Sequence, residues 1–158
     1  TSAKTRATAT LRQHAHTARR CVAFKVTLLH MKIEHILIEP NSWREPFYDT
    51  LEKEDNFIFN CIDCGQEVTL SANTQTKNVW KGASDLLSEG DIKFLKEYFK
   101  IGLSNKSQDG GFPVFDLIMC EKCLSKYISY CGVREYYNSL YRITINALIK
   151  ISTEPKQV

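Results

Sequence analysis

No run of this sequence approaches the roughly 20 consecutive apolar residues that a membrane helix needs, so no helical membrane span is expected. Histidine is nearly missing where a catalytic metal would want it. Of the four histidines, three fall in the first thirty residues and only His35 follows. Those thirty residues in turn lack any Asp or Glu. His-Glu-x-x-His, Gly-x-Ser-x-Gly, a phosphate-binding glycine loop and a dinucleotide fingerprint are all missing. The zinc deaminase pairing of His-x-Glu with Pro-Cys-x-x-Cys is missing too, because Asn60 and Met119 precede the two Cys-x-x-Cys pairs. Together these absences point to a protein that is not an enzyme.

At 158 residues, with 43% hydrophobic and 25% charged content, the chain suits one soluble globular domain. The formal net charge of +3 hides an uneven distribution. Lys4, Arg6, Arg12, Arg19, Arg20 and Lys25 crowd the first thirty residues, leaving 15 basic against 18 acidic residues from Met31 onward. So sharp a break marks a boundary. Residues 1–30 read as a transit peptide, as a basic arm for nucleic acid, or as sequence upstream of a natural start at Met31. Residues 31–153 read as the domain and 154–158 as a tail.

Within the body, "MKIEHILI" reads as a strand stopped by Pro40, and residues 41–55 as a polar loop. "NFIFNC" and "QEVTLS" flank the first cysteine pair as short strands, and residues 71–83 read as a loop anchored by Trp80. Ser88 with Asp91 forms a capping box for a helix whose apolar face carries Ile92, Leu95 and Phe99, ending near Gly102. "SNKSQDGG" reads as a flexible turn, and "FPVFDLIMC" and "KYISYCGV" as strands around the second pair. Tyr137, Leu140, Tyr141, Ile145, Leu148 and Ile149 fall at helical spacing, which predicts a C-terminal amphipathic helix packed on the core.

The chemistry is concentrated in Cys61-Ile-Asp-Cys64-Gly65 and Cys120-Glu-Lys-Cys123. A hairpin turn carrying Cys-x-x-Cys turns both sulfurs to one side, and two such turns facing each other supply a tetrahedron of thiolates for one structural Zn2+. Gly65 suits the positive φ that follows such an elbow; Leu124 stands at the equivalent place in the second. Redox use is the alternative, but neither pair opens a convincing helix that would lower a thiol pKa. Structural disulfides would require an oxidising compartment, and no secretory signal supports one. Cys21 and Cys131 read as buried thiols.

Strand, Cys-x-x-Cys, strand, repeated, resembles the zinc-ribbon family over residues 57–70 and 115–132, with Cys61, Cys64, Cys120 and Cys123 as the implied ligands. The 55 residues from 65 to 119 exceed a compact ribbon and imply an inserted helical lobe. The expected fold is therefore α+β: a small antiparallel sheet with zinc-knuckle hairpins, the lobe and the C-terminal helix.

Zinc ribbons often touch nucleic acid, but affinity there rests on Lys and Arg neutralising phosphates, and the body is mildly acidic. A protein partner fits better. Trp43 and Trp80 are candidate anchors, while Glu52, Glu54, Asp55, Glu89 and Asp91 would meet a basic partner. In size, charge, aromatic loops and lack of catalytic residues the chain resembles bacterial immunity proteins, which implies binding and blocking a toxin such as a basic nuclease. Such a protein would be cytoplasmic, or mitochondrial if the leader is a transit peptide. Nucleic-acid binding and thiol–disulfide exchange stand as the alternatives.

Overall fold

The computed structural model describes residues 31–40, 42, 44–50 and 55–153; the leader, Trp43, Glu52, Glu54 and the tail lie outside these. In chain order the elements are β1 (Met31–Ile38), β2 (Phe47–Asp49), β3 (Asn56–Asn60), β4 (Glu67–Ser71), α1 (Ala72–Asn78), α2 (Glu89–Tyr98), β5 (Phe112–Met119), β6 (Lys126–Tyr137) and β7 (Leu140–Thr153). The class is mixed α and β, with sheet dominating. Among the described residues no helix is long and apolar enough to cross a membrane.

Five strands form the main sheet in the order β1-β7-β6-β5, with β2 pairing β7 beside β1, while β3 and β4 form a separate hairpin. All strand pairs are antiparallel. Side chains alternate across a strand, and here both faces are buried. Val114, Tyr127, Cys131 and Val133 point to one face, where Val68 and Leu70 of β4 and Ala72 of α1 cover them. Phe115, Ile128 and Tyr130 point to the other, under Leu95 and Phe99 of α2. The sheet is thus the middle of three layers.

The predicted C-terminal helix is instead the long strand β7, reached from β6 by a two-residue turn. Asn138 and Ser139 take φ of 36° and 66°, the paired left-handed conformation of a primed hairpin turn. The strand deceives because it is buried on both sides and bulged. Tyr130 pairs with Ala147 but Cys131 with Ile145, so Asn146 is extra and the alternation changes phase there. Ile143, Ile145 and Leu148 consequently share one face, whereas Ala147, Ile149 and Ile151 share the other. A phase slip of this kind gives apolar residues the spacing of a helix.

Other expectations are corrected as well. Residues 71–83 contain α1, capped by the Ser71 hydroxyl, which accepts the Thr74 N–H. Trp80 anchors nothing there, being 89% exposed; Ala72, Gln75 and Ala83 are the buried residues. The polar loop before the first pair contains β2. Helix α2 has its capping box as read, but Lys100, not Gly102, stops it: φ of 55° lets the Lys100 and Ile101 amides reach back to the carbonyls of Glu97 and Lys96. The "SNKSQDGG" turn is docked. Ser107 is buried and donates to Asp109 Oδ1 at 2.6 Å, and Asn146 Nδ2 donates to the same oxygen at 3.3 Å. Both loop side chains press on Gly132, where any Cβ would overlap them.

Candidate metal centre

Each Cys-x-x-Cys occupies the turn of a hairpin, one between β3 and β4, the other between β5 and β6. The two backbones match. Cys61 N–H donates to Gln66 O and Gly65 N–H to Cys61 O, both at 2.8 Å. Cys120 N–H donates to Ser125 O and Leu124 N–H to Cys120 O, both at 2.9 Å. Gly65 takes φ of 72° at no steric cost, whereas Leu124 takes 62° with a side chain attached.

The stacking of the β3–β4 hairpin on the sheet brings the two turns together. Sγ of Cys61 lies 3.4 Å from that of Cys123, Sγ of Cys64 lies 3.6 Å from that of Cys120, and all four sulfurs fall within 4.8 Å of one another. Metal–sulfur bonds of about 2.3 Å arranged tetrahedrally place sulfurs about 3.8 Å apart. The set therefore fits a metal ion. All four are free cysteines; Cys61 and Cys120 are buried and Cys123 faces solvent. Cys131, also free, is buried in the core away from this group.

Neighbouring side chains orient the sulfurs. The Tyr127 hydroxyl accepts the Ile62 N–H at 3.0 Å, which turns its own proton toward Cys61 Sγ at 3.1 Å. Ser125 Oγ lies 3.1 Å from Cys123 Sγ and donates to Asp63. Lys150 of β7 bridges Asp63 at 2.9 Å and Glu34 of β1 at 3.1 Å. Those hydrogen bonds hold the Asp63 carboxyl below its ordinary pKa and raise that of Lys150.

The sulfurs are electrostatically unlike. Burial disfavours a Cys61 thiolate, but the Tyr127 hydroxyl and the turn amides outweigh it and bring the thiol down to about 6. At Cys64 the Gln66 amide favours the thiolate, yet burial and the adjoining sulfurs push it up to about 12. All four could ionise together only with a cation between them.

Of the residues expected to meet a partner, Asp55, Trp80, Glu89 and Asp91 are described, and they fall on three separate parts of the chain. Asp91 is only 4% exposed, and its carboxylate accepts the Ser88 N–H at 2.9 Å in the helix cap. Asp55 ties β2 to the next hairpin, its carboxylate accepting the Tyr48 N–H at 3.3 Å. Glu89 is exposed on the first turn of α2. Trp80 stands over a small cavity at the far end of the sheet, which Val79, Phe112, Val133, Glu135 and Tyr141 also line. Sequence reasoning missed Phe112, Glu135 and Tyr141 there, and Tyr127, Ser125, Asp63, Lys150 and Glu34 around the sulfurs. Of these, only Asp63 and Ser125 carried a local signal, by lying in or beside a cysteine turn. No family model matches the chain, and neither the curated proteins nor the solved structures yielded a match.

Proposed function

We propose that the four sulfurs hold one structural zinc ion and that the chain is a non-enzymatic binding protein with a protein target. A complete set of four thiolates carries this reading. It fills a tetrahedral shell and leaves no coordination position for water or substrate, unlike the three-ligand sites of catalytic zinc. Both pairs sit in hairpin turns, without the helix N-terminus that activates a redox thiol. A thiolate site suits a reducing compartment such as the cytoplasm. The exposed Trp80 supports a protein partner, since tryptophan is enriched among the residues that dominate interface energy. Immunity to a basic, nuclease-type toxin is the sharpest form of the proposal.

Metal analysis with a thiol count on the full chain tests the first half. One zinc per chain is expected, with four thiols shielded from alkylation until a chelator is added. Metal-free protein with oxidised or fast-reacting pairs would sink it. The second half is tested by copurification from the cells that make the protein, followed by a nuclease assay. A bound protein whose nuclease activity appears only after dissociation supports the immunity reading; retention of RNA or DNA alone, released by salt, overturns it in favour of nucleic-acid binding.

A further inference from the structure

The cavity beside Trp80 lies on the same sheet face as the sulfurs but at the other end of β5, roughly 25 Å away at about 3.3 Å per residue. Val133 and Tyr141 are on the face that α1 covers, packed in or against that core, and Glu135 follows Val133 two residues on. Alternation therefore gives Glu135 the same side as Tyr141. It sends Arg134 and Arg142, which pair with each other, to the opposite side. Phe112, at the start of β5, and Trp80, just after α1, complete the wall.

Three features make this more than an apolar dent. Its volume is about 60 Å³, several times the roughly 10–15 Å³ that one water requires, so it admits a small head group. Three of its walls are aromatic, with faces that carry negative charge density. Its one charged lining residue is an acid, held in place because Glu135 Oε1 accepts the Ser139 N–H of the hairpin turn at 2.7 Å. A carboxylate retains acceptor capacity after one such bond.

We propose that this cavity is the docking point for an arginine side chain of the protein partner, with the guanidinium stacked on Trp80 and hydrogen-bonded to Glu135. The planar guanidinium matches a flat, exposed indole face and is more weakly hydrated than an ammonium, so it gives up less on entering. This rests on the protein-binding reading above, and it supplies that reading with its central contact.

The test uses two blocked tripeptides, acetyl-Gly-Arg-Gly-amide and its citrulline counterpart, which keeps the shape and removes the charge. The full-length metal-loaded chain carries Trp43→Phe, so that Trp80 is its sole tryptophan and reports binding by fluorescence. The arginine peptide should saturate with a Kd on the order of millimolar, and the citrulline peptide should bind about tenfold more weakly. Glu135→Gln should erase the difference; Trp80→Ala, followed by chemical-shift changes at Tyr141, should remove binding of both. Equal affinity for the two peptides, or no saturation by either at tens of millimolar (about ten times the expected Kd), overturns the proposal. Neither result touches the copurification experiment, which stands or falls without these peptides.

Discussion

Leu124 and Asp116 are the two side chains whose local cost is plainest. Leu124 holds a left-handed backbone that Gly65 holds freely in the matching turn, and its side chain is 64% exposed. Left-handed conformation costs an L-residue roughly 1–2 kcal/mol, of which glycine returns part through its greater unfolded freedom. Leu124→Gly should therefore stabilise the protein by about 0.5–1 kcal/mol, read by chemical denaturation with metal bound. Asp116 is buried beneath α1, where Gln75 Nε2 donates to it at 3.1 Å while Gln75 Oε1 lacks a partner among the described residues. Burial raises the Asp116 pKa, opposed by the bonds from Ser84, Gln75 and the Leu117 amide. A folded-state pKa above the unfolded value of about 3.9 means its contribution is intact below that pH and is lost as pH rises through the folded pKa. Asp116→Asn should thus melt higher than the parent at pH 7.5, with the gap closing toward pH 4. A gap that widens on acidification would contradict the burial argument.

The docked loop and the bulge belong together. Asn146 exists as an extra residue in β7, and that places its amide where it holds Asp109, while Gly132 opposite leaves the space. Gly132→Ala should displace the loop and destabilise the fold by about 1–3 kcal/mol, with protease cutting between residues 104 and 111 as the direct readout. These contacts also explain which elements could be read from sequence. The hairpins around both cysteine pairs and helix α2 were legible, because turn chemistry and caps are local. Strand β7 was not, since burial on both faces removes the polar half of the alternation and the bulge shifts the rest. Helix α1 was hidden by its short length and polar composition. Around the sulfurs the four cysteines announced themselves by spacing, whereas Lys150 reaches Asp63 from 87 residues away, a relation only the folded sheet creates.

For the molecule as a whole, strands β3 and β4 pair with each other and, among the described residues, with no strand of the main sheet. Packing against one face holds this hairpin, with the mutual bonds of Asp55 and Tyr48, the Ile62 N–H bond to Tyr127 and the bonds of Asp63 to Ser125 and Lys150, and its cysteine turn meets that of β5 and β6. If the four sulfurs hold the proposed metal, a chelator at neutral pH should loosen this hairpin first. Hydrogen exchange should show amides of Asn56–Asn60 and Glu67–Ser71 losing protection while those shared by β6 and β7 keep theirs. Simultaneous loss everywhere would mean the centre supports the sheet and the hairpin alike. Cys61→Ser should reproduce the chelated pattern without added chelator, because metal affinity in such a site is stability.

The two halves of the centre are also far apart along the chain: Cys64 and Cys120 are separated by 56 positions. At ribosomal speeds of about 5–20 residues per second, the first pair emerges on the order of three to ten seconds before the second. During that interval the nascent chain presents two thiols on a short hairpin with nothing to dock against. An ion captured then would be half-coordinated and exchangeable, and it would be locked in only when β5 and β6 are made. Metal supply during translation, and not merely its presence afterwards, would then govern how much of the newly made protein reaches its closed form.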